Sequence, residues 1–192
     1  MRGMQYLVSF ALLVAVTAWI VRIYNNLDHL RGVVCSCWGQ WRKATHHRNE
    51  CLTDFAVVFA LFLPQGDPLP RNLRRLAADS ERTLALTREP RWSRLHGFVG
   101  GAESLLRQAV ERSVQAVEDS PVMREHEHLQ RLCSSMSVSL FQQEQMTELF
   151  NRAAKDYNAA LVTPSARFLA PLFGFAAADP LGEIHTQNAR SS

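Results

Sequence analysis

The stretch that decides the fold is GMQYLVSFALLVAVTAWIV at residues 3–21, nineteen residues without a formal charge between Arg2 and Arg22. A helix of this length rises about 28 Å, which matches the roughly 30 Å hydrocarbon core of a bilayer. Backbone polar groups inside lipid must bond within their own segment, so a stretch that spans the bilayer must be helical. The sequence therefore predicts a transmembrane anchor at residues 1–23.

A cleaved secretory signal is the competing interpretation of the same residues. Arg2 would supply its positive end, and Val16, Thr17 and Ala18 resemble a small-residue cleavage site. The apolar run continues past that site to Ile23, however, and no helix-breaking residue follows before Pro64. These two features favour an uncleaved signal-anchor.

The charges that flank the apolar stretch predict its orientation. Arg2 stands alone on the N-terminal side, whereas Arg22, Arg31, Arg42 and Lys43 follow on the C-terminal side. The positive-inside rule then places the short N-terminus outside and the body in the cytoplasm.

The rest of the chain has the composition of one folded domain. About 170 residues remain after the anchor, which is enough to bury a core. The net charge of +3 is mild and does not call for a nucleic acid as partner. The four cysteines fit a reducing compartment, because Cys35 and Cys37 are too close in sequence to bridge easily.

Apolar residues after the anchor recur at intervals of three and four, the period of a helix that lies along other helices. No proline or turn cluster separates this pattern from the anchor, so one continuous helix is predicted over residues 5–63. The positions that form the pattern are Leu27, Leu30, Val34, Cys37 and Trp41, then Thr45 and Arg48 as polar members, then Leu52, Phe55, Phe59 and Phe62.

Prolines divide the remainder into three further predicted helices, at residues 71–88, 92–118 and 120–162. Ser120 is the expected N-cap of the last helix, with Pro121 at its first position. No segment alternates with period two, so the fold class is all-α. Helices joined by short turns predict an elongated antiparallel up-down four-helix bundle at residues 24–175, continuous with the anchor. Residues 176–192 are expected to be a flexible C-terminal tail.

Two motifs that combine a tyrosine with asparagines are the candidate interaction site, because the bundle topology brings both near the membrane. Asparagine has low helix propensity, and buried copies usually make specific hydrogen bonds. The motifs are either a structural latch between helices or a polar site for another membrane protein. Their residues are Tyr24, Asn25, Asn26, Asp156, Tyr157 and Asn158.

An apolar cluster after the last helix completes the candidate site at the same end. It contains Phe168, Phe173 and Phe175. One interpretation is that these residues cap the core of the bundle, and the other is that they lie on the lipid headgroups beside the anchor. The sequence favours neither.

Several other residues have the right side chains for chemistry but lack the right arrangement. His47 and Cys51 share a helix face and would form half of a metal site, whereas Cys35 and Cys37 point to opposite faces. His126 and His128 have no phosphate-cradling context. Seven arginines in residues 71–94 indicate either a solvated helix face or a docking surface for an acidic partner.

Three stretches of the chain resemble the LemA family, single-pass bacterial membrane proteins with an α-helical body and no established biochemical activity. The likeness covers residues 24–175. It is carried, in chain order, by Tyr24-Asn25-Asn26-Leu27, Leu30-Arg31, Trp38, Glu118, Pro121, Met123-Arg124, Leu129, Leu132, Phe150-Asn151, Asp156-Tyr157-Asn158, Pro164, Phe168-Leu169-Ala170 and Leu172-Phe173-Gly174-Phe175. The chain departs from the family pattern at Thr53-Asp54-Phe55, Leu140 and Thr147.

The resemblance implies a divergent member located in the bacterial inner (cytoplasmic) membrane, and it implies no reaction. The expected function is that of a membrane-anchored helical scaffold or adaptor that has no enzymatic activity, cofactor or metal. The expected partners are the lipid bilayer, other membrane or cytoplasmic proteins and a second copy of the chain, but not nucleic acid. The alternative is a membrane-tethered metal-responsive sensor that uses the Cys/His cluster, which consists of Cys35, Cys37, His46, His47 and Cys51.

Overall fold

All regular secondary structure is helical in the residues that the computed structural model describes, which are 2–86 and 96–181. The helices are α1 (Arg2–Phe59), α2 (Pro68–Leu86), α3 (His96–Asp119), α4 (Pro121–Glu125), α5 (Glu127–Leu161) and α6 (Pro164–Leu169), followed by a 3₁₀ turn (Pro171–Phe173). The predicted all-α class is confirmed. The predicted start of the third helix, at residues 92–95, lies outside the described residues.

Helix α1 is continuous over 58 residues, as the unbroken apolar pattern predicted. At 1.5 Å per residue it is about 87 Å long. It ends at Phe59, earlier than the predicted residue 63. There the chain tightens into three-residue turns, with N–H to O=C bonds from Leu61 to Val58 (3.1 Å) and from Phe62 to Phe59 (3.2 Å).

The N-terminal half of α1 is long and apolar enough to cross a membrane, and no other described helix is. Only 6% of its most apolar 18-residue window is buried inside the protein. The core helix of a water-soluble protein would be mostly covered by its neighbours, so these side chains face whatever surrounds the protein. Phe10, Leu12 and Trp19 are examples, each at least half exposed.

The body forms where shorter helices pack around the C-terminal half of α1. Helix α1 lies along α5 and α2, α3 lies along α2, and α4 joins α3 to α5. The turn between α1 and α2 is closed by Gly66, whose backbone has a φ of 98°, and by Asp67, whose carboxylate accepts a hydrogen bond from the Leu69 N–H (2.9 Å). Glycine suits the first position because it has no Cβ to clash there.

The predicted single helix over residues 120–162 is wrong in one respect, since the chain breaks at His126. Ser120 and Pro121 do begin a helix, but α4 ends after five residues. His126 has an extended backbone, its Nδ1 accepts the Leu129 N–H (3.3 Å), and its ring packs edge-on against Phe62 (4.8 Å). An N-cap histidine is uncommon, so the residues around position 126 carry little local signal for this break.

Two apolar cores divide the body along its length. The anchor-side core lies between α1, α5, the C-terminal segment and Leu84 near the end of α2, and the distal core lies between α1, α2, α3, α4 and α5. The largest anchor-side members are Leu27, Trp38, Trp41, Phe150, Tyr157 and Phe175. The largest distal members are Leu52, Phe55, Phe59, Leu73, Leu106, Leu129 and Met136.

A polar layer separates the two cores and ties α1 to α2 and α3. Arg48 is 1% exposed, and its guanidinium forms an ion pair with Glu103 on α3, including a 2.9 Å bond from Nη2 to Oε1. The same Nη2 also donates to Ser80 Oγ on α2 (3.1 Å). Asn49 donates to Ser80 (3.2 Å) and to Glu81 (3.1 Å). These bonds satisfy polar groups that would otherwise destabilise the core.

The anchor-side core is covered in part by residues that the sequence assigned to a flexible tail. Helix α2 stops near the level of Arg42, whose Nη2 donates to the Leu84 carbonyl (3.1 Å). Beyond that level, residues 175–181 lie across the core, with Ala178 and Leu181 at 2% and 4% exposure. Residues 176–181 are therefore packed against the body in this structure. Residues 182–192 lie outside the described residues.

Removal of the Glu103 charge should destabilise the body strongly. Glu103→Gln leaves the Arg48 guanidinium buried without its counter-charge, and breaking such a pair costs about 3 kcal/mol. The matched control is Glu144→Gln, because the exposed Arg107–Glu144 pair (3.3 Å) should contribute less than about 1 kcal/mol. Urea unfolding of the full chain in detergent, followed by circular dichroism, measures both. Equal losses would contradict a structural role for the polar layer.

Candidate functional site

The candidate site lies where α1 leaves its apolar half and meets α6 and the 3₁₀ turn. Tyr24 anchors this meeting, since its ring packs edge-on against Phe173 (5.2 Å between ring centroids) and tilted against Phe175 (5.7 Å). Gly174 allows the sharp turn between the two phenylalanines, because its backbone adopts the left-handed conformation with a φ of 71°. The turn therefore sits only three residues beyond Val21.

The apolar segment at this end divides into residues that are buried in the core and residues that are exposed. Ala166, Ala170 and Phe175 are buried and cap the anchor-side core. Phe168 and Leu172 are each 78% exposed and point away from it. Together with the half-exposed Phe173 and the exposed Val162, these residues form an uncovered apolar surface, which we call the α6 surface.

The polar motifs of the candidate site separate into surface and core residues. Asn25, Asn26 and Asp156 are exposed and do not lie between helices, so the predicted latch is not formed by them. Tyr157 is completely buried in the anchor-side core. Asn158 does make specific hydrogen bonds, but with the C-terminal segment and not with another helix.

Two asparagines of α5 hold residues 175–181, which we call the strap, by its backbone. The Asn158 side chain accepts the Ala178 N–H (2.7 Å) and donates to the Ala178 carbonyl (2.6 Å). Asn151 does the same with Leu181, at 2.7 Å and 2.9 Å. Each carboxamide thus pairs with one residue as a neighbouring strand would. We call Asn151 and Asn158 the clamp asparagines, and the pair of them the clamp.

The clamp was only half visible in the sequence. Asn158 belonged to the candidate site, whereas Asn151, Ala178 and Leu181 did not. The one signal was the seven-residue spacing of the two asparagines, which places both on one face of a helix. Without knowing that a chain segment returned along that face, the spacing could not be distinguished from chance.

Burial of Tyr157 changes how its phenol titrates. Burial raises the pKa of Tyr157 above its ordinary value, the Arg31 charge acts to lower it, and Cys35 acts to raise it. The folded protein therefore favours the neutral phenol more than the unfolded chain does. The resulting stabilisation is fully present below about pH 10, the ordinary tyrosine value, and is lost as the pH rises through the folded-state pKa.

His46, His47 and Cys51 lie apart from this site and line an open groove of about 920 Å³ between α1 and α2. Cys35 and Cys37 are not brought to this groove: Cys35 is exposed, and Cys37 packs against the anchor-side core. His46 Nδ1 lies 2.9 Å from Glu81 Oε1, and His47 Nε2 lies 3.9 Å from Cys51 Sγ. The predicted half-site of His47 and Cys51 is thus present. Among the described residues, no three His, Cys, Asp or Glu side chains are placed to hold one metal ion.

The same groove contains a cysteine, a histidine and a carboxylate in a row, but their surroundings do not suit nucleophilic catalysis. His47 Nδ1 lies 3.8 Å from Glu50 Oε2, on the other side of the ring from Cys51. All three residues lie in the middle of α1, where backbone N–H groups are already bonded within the helix. No backbone donors are left there to stabilise an oxyanion.

The arginine-rich stretch is described only in its first part. Arg71, Arg74, Arg75 and Arg82 are exposed on α2, while the arginines after residue 86 lie outside the described residues. Asp79 pairs with Arg82 (3.1 Å) and Arg75 (3.8 Å) on the same helix. These local pairs fit a solvated helix face, one of the two alternatives.

Comparison of the chain with protein-family models, with curated proteins and with solved structures finds no match. What the chain does must therefore be inferred from its own residues. In the described part of the chain, the α6 surface presents exposed apolar side chains and the clamp holds a backbone segment.

Replacing Tyr157 with phenylalanine should make the stability of the fold less sensitive to alkaline pH. Wild-type stability should fall above about pH 10, and the fall should be shallower in Tyr157→Phe because no phenol must ionise in the core. Thermal unfolding midpoints between pH 8 and pH 11 measure the slope. The control Tyr24→Phe keeps the buried phenol and should keep the steeper wild-type slope.

Loss of one clamp asparagine should free the strap without unfolding the body. Asn158→Ala removes two hydrogen bonds worth about 1 kcal/mol each, so the Ala178 amide should exchange its hydrogen about thirtyfold faster. Hydrogen exchange measured by mass spectrometry of the full chain detects this. The exposed Asn26→Ala is the control and should leave exchange at Ala178 unchanged.

Proposed function

We propose that this chain is a single-pass membrane-anchored helical scaffold or adaptor, of the kind that the resemblance to the LemA family implies. In this proposal residues 1–23 are a signal-anchor in the bacterial inner membrane, with the N-terminus outside. The body is cytoplasmic and forms an elongated up-down bundle. It acts by binding partners and not by catalysing a reaction.

The position of the α6 surface is the observation that supports the proposal most. Tyr24, which holds the 3₁₀ turn, lies three residues beyond the uncharged stretch, a distance of about 5 Å along the helix. If residues 3–21 span a bilayer, Phe168, Leu172 and Phe173 lie at the level of the lipid headgroups. Exposed apolar side chains are stable in that position, whereas in water they would be a liability.

Basic residues at the same end are consistent with this placement. Arg167 is exposed beside Phe168 on α6, and Arg22 and Arg31 are exposed on α1. Arginines at the cytoplasmic surface of a membrane are attracted to anionic headgroups, by about 1 kcal/mol each. The combination of apolar and basic side chains is typical of a surface that lies against lipid.

An adaptor would present its remaining surfaces to membrane or cytoplasmic proteins near the bilayer. Asn25, Asn26 and Asp156 are exposed and can donate or accept hydrogen bonds with such a protein. A metal-responsive sensor would need more ligands than the pair of His47 and Cys51, and the described residues do not bring a third one to that pair, so we do not propose it.

Photo-crosslinking in cells tests the proposal directly. A photo-reactive amino acid at Phe168 should capture lipid and discrete partner proteins, because that residue lies at the proposed site. The control position is Phe141, which is 62% exposed on α5 but lies away from the anchor-side end. Partners captured from position 168 should be absent from position 141.

Two outcomes would contradict the proposal. Capture of lipid and the chain alone from every exposed position near Tyr24 would remove the adaptor role. Labelling of an introduced cysteine, Ser192→Cys, by an impermeant reagent in intact cells would reverse the orientation.

A further inference from the structure

We propose that the groove occupied by the strap is a binding site for an extended peptide, and that its ligand in trans is the strap of a second copy of this chain. The two copies would exchange residues 175–181, so that each strap lies in its neighbour's groove. The inference rests on the proposed function, because membrane anchoring orients the copies.

The clamp recognises a backbone and does not depend on the strap's side chains. All four bonds, from 2.6 to 2.9 Å, run to the N–H and carbonyl groups of Ala178 and Leu181. Any extended segment in the same register could make them. The geometry of these bonds does not depend on whether the strap belongs to the same chain as the groove.

The spacing of the clamp matches the repeat of an extended chain. Asn151 and Asn158 are seven residues apart, or two helical turns of about 10.5 Å. Ala178 and Leu181 are three residues apart, which in an extended chain is about 10 Å. The helix therefore presents one carboxamide for every third residue of the strap.

Side-chain burial in the strap has the same period of three. Phe175, Ala178 and Leu181 are at most 8% exposed, and Ala176 and Ala177 between them are exposed. A segment with every third side chain buried has the periodicity of an extended left-handed helix, the form in which many short peptides bind to grooves. The groove thus selects an apolar residue at each third position.

The strap is held by few interactions, so it can leave the groove. Three buried side chains, the four clamp bonds, one bond from the Phe175 N–H to the Ala170 carbonyl (2.9 Å) and the ring contact with Tyr24 fix its seven residues. Gly174 provides a flexible point directly before it. Segments with so few contacts occupy the low-stability end of a protein. When the strap leaves, it exposes an apolar groove and two carboxamides that have lost their hydrogen bonds to the strap. The cost of this exposure favours the binding of a strap in the groove again.

A second copy is the occupant that the structure favours, because its strap is a sequence already seen to fit. The strap runs antiparallel to α5, since Asn158 holds Ala178 and the earlier Asn151 holds Leu181. Copies anchored in one membrane stand parallel, so a neighbour's strap arrives at the right height and in the right direction. When two copies exchange identical segments, each segment makes the same contacts in the other copy, so the exchange costs little free energy.

The strap is long enough to cross to a neighbour. From Gly174 to Ala178 an extended chain covers about 13 Å. The axes of packed helices are about 8 to 10 Å apart, so the strap can reach a groove on an adjacent copy. Confinement in a membrane raises the effective concentration of that copy.

Mixed proteoliposomes of two differently tagged full-length chains test the exchange. The donor chain carries a photo-crosslinking amino acid in place of the exposed Ala177, and the acceptor chain carries none. Illumination should yield a donor–acceptor product. Resistance to alkaline carbonate extraction is scored separately for each chain, so failure of membrane anchoring is distinguished from failure of the exchange.

Two reciprocal variants make the test decisive. Asn151→Ala with Asn158→Ala in the acceptor should lower the product at least about tenfold, whereas the same changes in the donor should not lower it. Leu181→Asp in the donor should also lower the yield of the crosslinked product, whereas Leu181→Asp in the acceptor should not lower that yield. Each variant is made in both chains, and circular dichroism of each purified variant shows separately whether it folds.

Equal effects of each change in donor and acceptor would overturn the proposal, because chance collisions have no such asymmetry. A product absent at all protein densities, with both chains anchored, would overturn it as well. If only Leu181→Asp fails to fold, the asparagine pair alone decides, and Asn26→Ala in either chain is its unchanged control.

Discussion

The ion pair between Arg48 and Glu103 is the constraint on which the arrangement of the body depends. A guanidinium that is 1% exposed must be paired, and its partners come from two other helices. The pair therefore fixes how far along α1 the helices α2 and α3 can sit. A slip of one turn would leave Arg48 against apolar side chains. The polar layer thus sets the register of the distal core, and with it the level at which α2 ends.

The end of α2 in turn explains why the C-terminal segment is needed. Among the described residues, α1 has α5 beside it between the levels of Arg42 and Tyr24, and no further part of α2. These two helices by themselves would leave one side of their contact open, where Trp38, Phe150 and Tyr157 lie. The strap and the buried residues of α6 cover that side. Because the strap has no helical bonds of its own, the clamp asparagines supply the partners that its backbone needs.

How much could be predicted from the sequence follows from the range of the interactions involved. The unbroken apolar period predicted a continuous α1, and the prolines placed the breaks that define α2 and α4 correctly to within a few residues. Those features depend on local chemistry. The break at His126 depends on Phe62, which is distant in sequence, and the strap depends on Asn151, so neither could be predicted. Among the candidate residues, Tyr24, Phe173 and Phe175 do come together, whereas Asn25, Asn26 and Asp156 remain at the surface.

The continuity of α1 has a mechanical consequence. Between Trp19 and Trp41 the helix has no proline and no break, so it resists both bending and twisting. The body cannot turn about its long axis unless the apolar half turns by the same angle. The direction in which Trp19 points therefore fixes the direction in which the strap's groove faces. A neighbouring molecule that binds the apolar half of α1 would determine which face of the body is presented to other molecules.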